Sequence, residues 1–194
     1  MKIAILLLGF LIASQYLLSQ ENNKAFNEER INMTKKGMMV LGAWGTANLI
    51  SGSIGMASSS GETKYFHQMN LIWGAVNLSI ALPSYLQIKK QASNLSIAET
   101  FKQQSHIEKL FLLNAGLDLV YISGGFYCLA KGENDSRQNL YRGYGKSLLV
   151  QGGGLLLFDA VMYFSHNHHG KKLYSLLSKV QFTGNSVGLL WKWK

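Results

Sequence analysis

A chain of 194 residues suits one domain, and its 47% hydrophobic content alone would fit a soluble globule. The net charge of +9 does not point to nucleic acid: Lys and Arg sit at the ends of apolar runs, no nucleic-acid module accompanies them, and anionic lipid headgroups are the partner such belts fit. Lone Cys128 excludes an internal disulfide and a Cys-based zinc cage.

The start, "MKIAILLLGFLIASQYLLSQ", has one Lys2, an apolar run, then small and polar residues near Ser19. That is a secretory signal in outline, so residues 1–19 are a signal peptide or an uncleaved anchor. Residues 20–36 are polar and predict a surface segment. Four apolar stretches follow at about 37–57, 67–88, 109–130 and 145–165, each near the roughly 20 residues a bilayer core requires. None alternates with a period of two, which favours helices over an outer-membrane barrel. "SSSGETKY" and "KGENDSRQNLYRGY" are short connections, and residues 89–108 form a longer, partly helical joint.

The expected fold is all-α: an integral-membrane antiparallel four-helix bundle of two hairpins over residues 20–169. In the tail, residues 170–194, Leu173, Leu176, Leu177 and Val180 recur among lysines. They predict an amphipathic helix on the membrane surface, with Trp191 and Trp193 at the lipid interface.

Each span carries a polar residue away from its ends. W-G-x-x-N occurs twice, Trp44-Gly45 to Asn48 and Trp73-Gly74 to Asn77. On a 3.6-residue period Asn114, Asp118, Tyr121 and Gly125 share a face, as do Asn70 and Asn77, and Asp159 and His166. Gln151 lies two turns before Asp159. An unpaired amide in hydrocarbon costs several kcal/mol, so these groups must turn inward and bond one another. Close helix approach is expected along Ala47, Ser51 and Gly55 and at Gly152-Gly153-Gly154.

Asp118 and Asp159 are the only acids within the four stretches, with no Lys or Arg deep enough to pair with them. Either both are neutral and bonded to Asn48, Asn77 or Asn114, or they meet a proton or metal cation. His67, Gln68, Tyr121 and His166 are secondary candidates. "HNHHG", residues 166–170, predicts a headgroup-level polar cluster in a flexible tail rather than a metal site. His67 and His106 fall at opposite faces, which leaves no haem pair, and no cofactor is expected. There is no G-x-S-x-G or H-E-x-x-H, so an enzyme using Asp118, Asp159 and His67 is the least favoured reading.

The segments "KYFHQMNLIWGAVN", "LNAGLDLVY" and "GYGKSLLVQGGGLLLFD" resemble an uncharacterised family of small bacterial membrane proteins, a domain of unknown function, over about residues 25–182. The resemblance implies a multi-span membrane location and nothing catalytic, and the expected location is the bacterial inner membrane. A homo-oligomer and an unidentified membrane partner both stay open. So does orientation: one side holds 13 Lys and Arg against 5, which places it in the cytoplasm, whereas a cleaved signal places the N-terminus outside.

Overall fold

The computed structural model describes the backbone of residues 2–177, 180–183 and 186–189, and the side chains of residues 20–173. Four helices dominate: α1 Lys2–Ser58, α2 Gly61–Lys89, α3 Ile97–Lys131 and α4 Gln138–Leu177. A short antiparallel hairpin follows, β1 Val180–Thr183 with β2 Ser186–Leu189, Val180 opposite Leu189. The tail therefore departs from the expected amphipathic helix: residues up to Leu177 end α4, and a hairpin takes over from Val180. Trp191 and Trp193 lie outside the described residues.

The connections are shorter than their composition suggests. Gly61 takes the left-handed conformation at φ 56°, which lets the chain reverse after only Ser59 and Ser60. At the start of α3, Ser96 accepts a hydrogen bond from the Glu99 amide, and the Glu99 carboxylate accepts one from the Ser96 amide. This reciprocal cap fixes the first turn and trims the long joint to the residues between Lys89 and Ile97.

The polar segment 20–36 is not a surface lead-in. It is a run of unbroken α1, and Asn23, Phe26, Asn27, Arg30 and Thr34 are buried on one face of it. Spacings of three and four residues make that face, while Glu21, Lys24, Glu28 and Glu29 point outward.

Three helices are long and apolar enough to cross a membrane, within Gly61–Lys89, Ile97–Lys131 and Gln138–Leu173. Residues 37–57 of α1, expected as the first span, fall outside that set, because Thr46, Asn48, Ser51 and Ser53 dilute their apolar neighbours.

α1 packs on α2 and α3 on α4, and the two pairs meet mainly through α2 and α4. Glycines set how closely they approach. At the α1–α2 crossing the two W-G-x-x-N motifs touch. A Cβ on Gly45 would meet the Gly74 carbonyl oxygen at 3.1 Å, and one on Gly74 would meet the Leu49 nitrogen at 2.5 Å. Across α3 and α4, Gly125 and Gly145 face each other's backbone, and Gly152 sits against the Asp118 carbonyl. The expected stripe of Ala47, Ser51 and Gly55 is wrong in part: Ala47 and Ser51 are exposed, and Gly52 packs against α2 with Gly55.

Among the described residues, sixteen polar or charged residues are buried against nine hydrophobic ones. The apolar core is a small cluster around Met38, Leu41, Ala81, Phe111, Leu155 and Met162. Large apolar side chains point outward on every helix, among them Ile54, Ile80, Leu113, Val120, Leu157 and Phe164. Water would penalise that outer surface heavily.

Replacing Gly74 with Leu should force α1 from α2 and cost about 1–3 kcal/mol, as overpacking does. Gly153, whose added Cβ would meet nothing within 4 Å, serves as the control, and Gly153→Leu should melt like the parent in detergent.

Candidate functional site

Three polar groupings lie along the interior, and they differ in how well their atoms are satisfied. The central one is organised by Gln151 of α4, which is fully buried. Its amide nitrogen donates to Asn48 Oδ1 at 2.6 Å and to Asn70 Oδ1 at 3.0 Å, and its carbonyl accepts from Trp44 Nε1 at 3.0 Å. Ser147, one turn earlier on α4, donates to the same Asn70 oxygen at 2.6 Å. Asn48 returns its own amide to the Trp44 carbonyl at 2.8 Å. One side chain thus connects α1, α2 and α4. Tyr144 extends the row by donating to Gln68 at 3.1 Å.

The second grouping holds the two acids. The Asp118 and Asp159 carboxyls, on α3 and α4, lie within hydrogen-bonding reach of each other, and Asn114 faces Asp159. Both acids are buried, and Asp118 Oδ2 and Asp159 Oδ1 have no hydrogen-bond partner. Asn77 is equally buried, and its Nδ2 has no partner either. Of the amides expected to bond the acids, Asn114 is the one that faces them, and Asn48 serves Gln151 instead. Tyr121 stands beside this grouping, edge-on to Trp73 with ring centroids 4.8 Å apart.

The third grouping lies where α1, α3 and α4 extend beyond the apolar middle, and only His166 of it was anticipated. Asn27 donates to Thr100 Oγ1 at 2.7 Å, and Arg30 reaches Asn27 Oδ1 and Gln91 Oε1, each at 3.3 Å. The Thr34 hydroxyl donates to the Arg30 carbonyl at 2.9 Å. Its proton is thereby used, so His166 Nε2, 3.3 Å away, must carry the hydrogen that joins them. Gln104 donates to Glu108 at 2.8 Å and to the His166 carbonyl at 2.7 Å. His169 stacks on Phe26 and directs Nε2 at the Phe26 carbonyl, 3.1 Å away.

The "HNHHG" stretch is therefore not a flexible edge cluster. His166 and His169 are fully buried helical residues, because a spacing of three keeps both on the inner face of α4. Burial pulls the Arg30 guanidinium below its ordinary value, and a hydrogen bond from Lys172 holds the Glu29 carboxyl below the usual carboxylate range. The signal for this layer was present in the i, i+4 series Thr100, Gln104 and Glu108 and in the inner face of residues 23–34.

His67 is half-buried against Gly55 and Phe66 and joins none of the three groupings, and its Nδ1 has no partner. At that end of the molecule Glu62 pairs with Arg142 at 3.0 Å and with Lys146, tying the start of α2 to α4. Among the described residues no three His, Cys, Asp or Glu side chains are arranged to hold a metal ion. Two open hollows, of about 580 and 410 Å³, lie on the outer side of α3 around Lys102, His106 and Lys109 and along Leu113 to Leu117. Neither is lined by Asp118 or Asp159.

Compared with known protein families, residues 40–160 match a model described as a family of unknown function, DUF6992. The match is narrower than the stretch 25–182 over which the resemblance was read. It takes in the central grouping and both acids but stops short of His166 and His169, and it begins after Arg30. No curated protein and no solved structure matches the chain.

Gln151→Leu should remove three bonds at once, and at roughly 0.6 kcal/mol for each such bond in a membrane protein the loss is on the order of 2 kcal/mol. Thermal melting in detergent measures it. Gln68→Leu, which removes one outlying bond, should cost a fraction of that.

Proposed function

The chain belongs to that family of unknown function, which supplies no activity, so from its own residues we propose that it is a non-catalytic integral membrane protein with a structural or interaction role. In this reading the helices form an antiparallel four-helix bundle in the bacterial inner membrane, with the middle of α1 as the fourth span. Its basic belts meet anionic headgroups, and the buried amides hold the helices in register.

One observation carries the reading: large hydrophobic side chains are exposed on every helix while amides and acids of the same apolar stretches are enclosed. A soluble bundle with Leu113, Val120, Leu157 and Phe164 exposed and Asn48, Asn70 and Gln151 enclosed would be inverted relative to the hydrophobic effect. In a bilayer the arrangement is the stable one, since lipid accepts apolar side chains and leaves polar groups only each other. Helix lengths agree. At 1.5 Å per residue the 35 residues of α3 run about 52 Å, enough to span a hydrocarbon core of about 30 Å and still project from it.

A second reading, a small proton- or cation-coupled transporter, is favoured by the unpartnered oxygens of Asp118 and Asp159. An acid left unsatisfied within a span is a functional candidate.

The protein should stay with the membrane pellet through alkaline carbonate and high salt, and release into the supernatant would overturn the bilayer reading. The two roles separate in proteoliposomes. For a structural core, Asp118→Asn and Asp159→Asn should accumulate and melt like the parent, with no ion flux from any of the three proteins. For a transporter, the parent should pass protons or a cation under an imposed gradient, and both variants should fold yet lose that flux.

A further inference from the structure

Among the buried polar atoms without a hydrogen-bond partner are one donor, Asn77 Nδ2, and two acceptors, Asp118 Oδ2 and Asp159 Oδ1. The Trp73–Tyr121 ring contact fixes how α2 and α3 are aligned. Asn77 lies four residues after Trp73 and Asp118 three residues before Tyr121. With the two helices running in opposite directions, these steps carry both residues one turn the same way along the bundle and keep each on its inner face. Asn77 therefore stands level with Asp118, and Asp159 reaches the same level from α4.

The charges facing this spot are one-sided. Asp118 meets Asp159, Asp159 meets Asp118 and Asn114, and no Lys, Arg or His side chain interacts with either acid among the described residues. Two carboxylates in contact, enclosed and without a cation, cannot both stay ionised.

We propose that Asn77, Asp118 and Asp159 form a proton site, in which the two carboxyls share one proton and a single buried water links them to the Asn77 amide. The assignment rests on the enclosed bundle described above. The inventory of atoms selects the ligand. A buried water typically makes about three hydrogen bonds, and here it accepts from Asn77 Nδ2 and donates to the acid oxygens. The shared proton removes the remaining repulsion between the carboxyls. A bare metal cation fits worse, because among the described residues no three His, Cys, Asp or Glu side chains are arranged to hold one.

Infrared spectroscopy of the full chain in liposomes at neutral pH tests the site. The parent should show the C=O band of a protonated carboxyl, shifting when H₂O is exchanged for D₂O. It should also show a water O–H band that moves on exchange into H₂¹⁸O. Asp118→Asn and Asp159→Asn should each lose the carboxyl band, because the new amide supplies the donor that the proton had supplied. Asn77→Leu should keep the carboxyl band and lose the water band.

Absence of the carboxyl band in the parent, or its survival in both Asn variants, would overturn the proposal. So would its disappearance from the parent when sodium chloride replaces choline chloride, which would mark a cation site. Should Asn77→Leu fail to fold, the parent's own ¹⁸O-sensitive water band decides that half of the proposal. Carbonate extraction is run on the same samples: a protein that stays in the pellet but lacks the band sinks the proton site alone, whereas one that extracts sinks the bundle reading beneath it.

Discussion

In the bilayer setting proposed for this chain lipid offers no hydrogen bonds, so buried polar side chains depend on one another, and Gln151 is where that dependence concentrates. Itself on α4, it bonds both Asn48 of α1 and Asn70 of α2. The helical pair α1–α2 therefore meets the pair α3–α4 through directional bonds rather than apolar contact alone. Glycines make the geometry available: Gly45 and Gly74 let α1 and α2 cross closely enough for both asparagines to face the same amide. Bulk at that crossing would press on Leu49, Asn77 and Leu78 and so part the helices that carry Asn48 and Asn70.

Much of this was legible in the sequence, and the limits have physical causes. An amide within an apolar run must face inward, which identified Asn48, Asn70, Asn77 and Gln151 from spacing alone. Pairing was not legible, because it depends on how far each helix slides along its neighbour. Asn48 meets Gln151 rather than an acid, and Asn77 meets no side chain through its nitrogen. The small residues of α1 misled for a related reason. They occur on two faces, and only the partner's position shows that Gly52, not Ala47 or Ser51, takes the close contact.

At the polar end, polarity does not mean exposure. The charges and amides of residues 20–36 and the histidines of "HNHHG" predict a surface place. Yet Asn27, Arg30, Thr34, Thr100, Gln104 and His166 are buried against one another. Periodicity carried the contrary evidence: charged residues on one side of α1 and amides, Thr34 and Arg30 on the other. A helix whose inner face is polar gives only a weak apolar signal, so hydropathy passes over it. The tail failed differently, since the leucines of 173–177 belong to the end of α4 and nothing in their spacing announces a hairpin at Val180.

Three of the polar connections on α4 sit at unequal intervals. Arg142 and Lys146 hold Glu62, Gln151 holds Asn48 and Asn70, and His166 holds Thr34. From Lys146 to Gln151 is about 7.5 Å along the axis, and from Gln151 to His166 about 22 Å. Such marks behave like a vernier. Were α4 to slip by one turn, about 5.4 Å, no two of the three would realign together, because their spacings share no common step of that size. A uniformly apolar bundle has many neighbouring registers of similar energy, whereas this one has a single notch into which all its teeth drop at once.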